Sequence, residues 1–179
     1  MIKDRLNKGR LIKNRPLILE KLLRIYGASY DVFPGDMDSA LPLYAMCIHR
    51  SRSEKFVLSK KAKLWAVELD DYFYVFSLPK LNKWQAEECV LFSIENALPR
   101  VKPHNEHMYS FITVVFIADE AEDDALKFIR WRKFNKSYKL GFYGSSPLKA
   151  AALDIEREKI VTNGMGRDLR KQIENIIKE

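Results

Sequence analysis

Residues 110–118 read SFITVVFIA, and Asp119, Glu120 and Glu122 follow at once. The run is almost wholly apolar, rich in β-branched and aromatic side chains, and bounded by charge. It fits a strand at the centre of a sheet, covered on both faces. A strand of that kind needs neighbours on each side and helices packed over the sheet, so the rest of the chain must supply both.

The helices are signposted. Pro16 opens a helix over 16–26 with Asn14 or Arg15 before it, Leu19, Leu22, Leu23 and Tyr26 on one face, and Gly27 as its stop. Asn82 caps a second helix over 83–98 that ends at Pro99. Asp119 and Glu122 suggest a capping box for a third helix reaching Trp131, with acids in its first turns and Arg130, Arg132 and Lys133 at its end. A fourth runs from about Gly166, packing through Leu169, Ile173, Ile176 and Ile177.

The strands are read from alternation and turn residues. They are expected at 43–50, 56–58, 63–69 and 72–78, the last two joined as a tight hairpin at Asp70-Asp71. A strand over 136–143 after the third helix makes one β-α-β unit with the central strand, and 148–155 with 160–163 makes a closing hairpin. The expected class is therefore α+β: a mixed, largely antiparallel sheet with one β-α-β crossover and helices packed on it.

At 179 residues, with 47% hydrophobic and 31% charged side chains, the chain has the length and composition of one globular domain. It divides into a basic arm over 1–15 and a body over 16–179. The arm holds six basic side chains against Asp4, so most of the net charge of +7 sits there. No apolar run approaches a bilayer span and no signal sequence opens the chain, so a cytoplasmic protein without a membrane partner is expected. Cys47 and Cys89 then read as reduced, buried small hydrophobes.

Two constellations carry chemistry. In Pro103-His104-Asn105-Glu106-His107-Met108, two imidazoles flank a carboxylate just before the central strand. His104 and His107 are candidate metal ligands, with His49, Asp36 and Asp38 as remote helpers. His104, Glu106 and His107 are candidate acid–base groups of a metal-assisted hydrolase. Neither zincin spacing is met. In the second, Arg130, Trp131, Arg132, Lys133, Lys136 and Lys139 interleave cations with Trp131, Phe134 and Tyr138, the ingredients of a surface that holds phosphates and stacks bases.

Other signatures fail. The order of a helix, three strands, a helix and a strand is that of the restriction-nuclease-like core, and Asp36, Asp38, Glu68 and Asp70 lie near strands. Yet no acid in the chain is followed two positions later by Lys. GxxxxGK, GxGxxG and GxSxG are absent, and no cofactor is implied.

Taken with RSEKFVLSKKAKLWAVE, KFNKSYKLGFYG and IVTNGMG, the PHNEHM stretch resembles a family of short bacterial cytosolic proteins of unknown function. The resemblance spans about Tyr30 to Gly166, leaves the basic arm outside, and implies no catalytic residues. The functional expectation is an accessory domain that binds a macromolecular or anionic partner, nucleic acid foremost, through its basic surface. The alternatives are the hydrolase of the histidine loop and a homo-oligomer built by pairing of exposed strands.

Overall fold

The structure, a computed structural model, describes residues 11–35, 41–56 and 63–178. Asn14 begins the first helix, α1 (Arg15–Tyr26), by accepting the Leu17 amide at 3.0 Å, with Pro16 in the first turn. Strands β1 (Asp31–Pro34), β2 (Leu43–Phe56) and β3 (Lys63–Leu81) form an antiparallel meander. Helix α2 (Lys83–Ala97) opens on a capping box between Asn82 and Gln85, and carries the chain to β4 (His107–Ala121), parallel to β3. Helix α3 (Asp123–Trp131) and the short β5 (Asn135–Ser137) lead to β6 (Ser145–Asp154), parallel to β4. Strand β7 (Lys159–Thr162) folds back on β6, and α4 (Arg167–Ile177) closes the domain.

The sheet order is β1-β2-β3-β4-β6-β5, with β7 also paired to β6. The fold is α+β, and β4 is central as its sequence requires, unexposed or nearly so from Ile112 to Ala118. The pleat divides the core in two. Tyr72, Tyr74, Phe76, Ile112, Val114 and Phe116 pack beneath α2 and α3, while Phe73, Val75, Val115 and Ile117 pack against α1 and α4. Cys89 belongs to the first core and Cys47 to the second, both free and buried. Burial pushes their thiols up to about 12 and about 11.

Several expectations change. The strand expected at 43–50 continues through positions 51–55 to Phe56 as β2, and of the strand expected at 56–58, positions 57 and 58 lie outside the described residues. Asp70-Asp71 makes no hairpin: β3 runs straight through, paired to β2 across both residues, because each carboxylate finds polar partners on its own face of the sheet. There are two β-α-β crossovers rather than one. The stretch after α3 stays in strand only through Ser137 and then turns over Lys139–Gly141, so the parallel strand is β6. The capping box at α3 is absent as well. Asp119 lies in β4, Glu122 precedes the helix without a side-chain cap, and Asp123 instead binds Arg157 at 2.7 Å.

Of the basic arm, residues 11–15 lie on the body. Ile12 is buried and its amide donates to the Ile177 carbonyl at 2.8 Å, and Lys13 reaches Glu158 at 2.8 Å. Among the described residues, no helix is long and apolar enough to cross a membrane.

Candidate functional site

Helix α2 ends at Ala97, and a 3-10 turn over Leu98–Arg100 sends the chain back across the sheet to the start of β4. The sheet continues past the end of that helix. There the positions that would continue the aromatic row of β3 carry Asp70 and Glu68, with Arg50 and Arg52 opposite them on β2. On the other side β4 places Ser110 beside Asp70 and His107 beside Glu68. Arg50, Arg52, Glu68, Asp70 and His107, with Ser51 and with Arg100, Lys102 and His104 on the returning loop, line a cleft of about 370 Å³.

Hydrogen bonds fix both imidazoles. His104 Nδ1 accepts the Glu106 amide at 3.2 Å, so its proton sits on Nε2, which donates to Glu68 Oε2 at 2.7 Å. His107 Nδ1 lies 2.6 Å from the Tyr143 carbonyl, which can only accept, so Nδ1 is the donor; Nε2 lies 2.9 Å from Ser110 Oγ. The ring is only 6% exposed. Arg52 binds Glu68 and reaches Glu106 at 2.7 Å.

The two carboxyls on β3 are driven apart. Burial works against the charged form of Glu68, but hydrogen bonds from His104 and Arg52, together with the Arg52 charge, outweigh it and hold the carboxyl below its usual value. At Asp70 burial dominates and pushes the carboxyl up, only partly offset by Arg50, His107 and Ser110. One cleft thus holds one carboxyl shifted up and one shifted down from their ordinary values.

The residues of the histidine loop are together, with their polar atoms taken up by protein partners. The His104 and His107 rings are 6.3 Å apart, each with both nitrogens engaged, and Glu106 is drawn to Arg52. Among the described residues, no three His, Cys, Asp or Glu side chains converge to hold an ion. His49 lies elsewhere, its Nδ1 at 2.7 Å from the Ser29 carbonyl and its ring against Tyr30. Asp36 and Asp38 fall outside the described residues. The α-β-β-β-α-β order of the nuclease comparison is present, yet its acid positions on β3, Glu68 and Asp70, face arginines rather than a lysine partner.

The basic segment falls at the opposite side of β4, along the edge that β5 and β7 make beside β6. Trp131 ends α3 with 68% of its surface exposed, in a groove shared with Lys127, Arg130 and Lys159. Arg132, Lys133 and Phe134 turn into a second, larger groove of about 630 Å³, whose walls include Tyr109, Leu148 and Met165. The Arg132 guanidinium lies over the Phe128 ring, and its Nε is enclosed without a hydrogen-bond partner. Lys136 and Lys139 lie over the Tyr138 and Tyr143 rings, at 5.7 and 4.5 Å. Phe134 and Tyr138 point inward to the α2–α3 core, as aromatics entering a strand commonly do.

The histidine loop and the basic segment therefore line different cavities, joined through the turn after β5. His107 holds the Tyr143 carbonyl and packs edge-on against Tyr138. A Cβ at Gly144 would stand 2.5 Å from the Met108 carbonyl and 2.7 Å from His107 Nδ1, and its φ of 75° adds strain for any other residue, so glycine is required there. The turn presents Leu140 and Phe142 outward, 97% and 80% exposed. Asn163 braces the larger groove. Its Oδ1 accepts the Ala150 and Gly166 amides, and its Nδ2 donates to the Leu148 and Arg132 carbonyls.

Arg50, Arg100, Lys102 and Ser110 are missed by motif reading, because they come from three separated segments that only the sheet register brings together. A family described as a domain of unknown function, DUF8052, matches residues 14–175. No curated protein matches the chain and no solved structure does.

Proposed function

The chain belongs to the DUF8052 family, a domain of unknown function, and we propose that it is an accessory domain of the bacterial cytosol that binds single-stranded nucleic acid through the α3–β5 edge. The observation that carries this reading is Trp131. A large indole 68% exposed, in a groove with Lys127, Arg130 and with Lys159, which pairs with Asp123 at 3.6 Å, offers a face on which a base can stack beside cations. The exposed Lys133, Lys136 and Lys139 extend the positive surface along the same segment.

Fluorescence anisotropy with labelled single-stranded oligonucleotides at two salt concentrations tests it. Affinity should fall steeply as salt rises. Trp131→Ala should weaken it by roughly 5-fold to 100-fold, the range of one lost base stack. Paired Lys133→Ala and Lys136→Ala should flatten the salt slope by about two phosphate contacts. Absent binding, or binding indifferent to salt, would sink the proposal.

A further inference from the structure

The cleft under the histidine loop has a charge arrangement of its own. Four cations line it against two carboxylates. Arg52 is taken up by Glu68 and Glu106, and Arg50 stands opposite Asp70. Arg100 donates only to the Asn96 carbonyl on its own helix end, and among the described residues neither Arg100 nor Lys102 pairs with a carboxylate. A concave wall with two uncompensated cations concentrates positive potential. At about 370 Å³ the space is that of a small ligand rather than a polymer groove.

The floor has the opposite character. Glu68 and Asp70 offer acceptor oxygens two residues apart on one face of β3, within the same cavity as the cations. A simple anion would use the wall and be repelled by the floor. A polyamine would meet the reverse conflict. A ligand that satisfies both carries a dianionic group at one end and several hydroxyl donors at the other. Hydroxyls donate to carboxylates, while the phosphate takes the guanidinium and ammonium hydrogens.

We infer that this cleft is a binding site for a sugar phosphate, with Arg100 and Lys102 holding the phosphate and Asp70 and Glu68 receiving the sugar hydroxyls. His104 and His107 act as positioning residues. The His104–Glu68 bond orients one acceptor, and the His107–Ser110 bond holds the strand that carries Ser110 beside Asp70. The site is independent of the nucleic-acid edge, from which β4 separates it.

Isothermal titration of the full chain with ribose 5-phosphate, ribose and inorganic phosphate tests the assignment. Ribose 5-phosphate should bind saturably and more tightly than either half. Arg100 and Lys102 are exposed, so the paired variant Arg100→Ala, Lys102→Ala should keep the fold, checked by circular dichroism, and lose about tenfold or more in affinity. Asp70→Asn should erase the preference for ribose 5-phosphate over inorganic phosphate while phosphate binding remains. Trp131→Ala should leave the titration unchanged, which separates this site from the proposed nucleic-acid surface. Competition by an oligonucleotide with a 5′-phosphate, but not by its 5′-hydroxyl counterpart, would identify a nucleic-acid end as the source of the sugar phosphate. No competition would identify the free metabolite. No saturable binding of ribose 5-phosphate, or equal binding by wild type and the paired variant, overturns the inference.

Discussion

Asp70 and Asp71 are adjacent on β3, and the pleat sends them to opposite faces of one sheet. Asp70 looks into the open cleft, where arginines, a histidine and a second carboxylate share its surroundings. Asp71 looks towards α1 and α4, where Thr113 Oγ1 donates at 2.7 Å and the Tyr30 hydroxyl at 3.0 Å. Burial pushes the Asp71 carboxyl up to about 6, against those two hydrogen bonds and the charge of Lys149, with Asp168 adding to the rise. Lys149 is itself held by Asp168 at 2.8 Å. The difference lies in what each carboxylate is surrounded by. On the α1–α4 face the donors are neutral hydroxyls and serve packing. On the cleft face the neighbours are charged: Arg50, Arg52, Arg100 and Lys102 surround Glu68 and Asp70.

The sharpest way to break this comparison is to remove the titration of Asp71. Its folded pKa lies above the ordinary value of 3.8, so its contribution is intact below about pH 4 and is lost as pH rises through about 6. Between pH 4 and pH 7 the wild type should therefore lose up to about 3 kcal/mol relative to Asp71→Asn, in urea unfolding monitored across pH. Parallel stability curves for the two proteins would show that Asp71 is not held where the geometry places it.

Thr113→Val comes next in size. The change keeps the shape of a β-branched side chain and removes the closer donor to Asp71, leaving the carboxylate with only the Tyr30 hydroxyl. A loss of about 2 kcal/mol is expected at pH 7. The loss should shrink towards pH 4, where the neutral carboxyl needs less support. A pH-independent loss would assign Thr113 to packing alone.

The same pair shows what the sequence made legible. The central strand is readable because SFITVVFIA admits few other placements, and the helices because Asn14, Pro16 and Asn82 cap them locally. Asp70-Asp71 misleads because two adjacent acids carry the local signature of a turn. Their partners, Arg50, Ser110, Thr113 and Tyr30, lie 20 to 42 residues away in the chain and become neighbours only through strand register. The parallel partner of β4 falls on β6 rather than on 136–143 for a related reason. Residues 136–143 have strand-like content, but their backbone turns at Lys139 and Leu140, where φ is 45° and 56°. The PHNEHM loop shows the same gap between spacing and surroundings: spacing cannot reveal that each imidazole already has two partners.

The smallest effect tests the cleft side. Glu68 is held below its usual value, so its contribution is present above the ordinary carboxylate range and is lost as pH falls through its folded value, the reverse of Asp71. Its side chain is 27% exposed, and its bonds to Arg52 and His104 lie in a cleft open to water. Glu68→Gln should therefore cost under about 1 kcal/mol at pH 7, with wild type and variant converging in acid. A larger cost would make the charge ladder on β2 and β3 a structural brace, and would weaken the distinction between the two faces of β3. A small cost, together with reduced ribose 5-phosphate affinity in the same variant, would place the charges of this face in binding rather than in holding the sheet together.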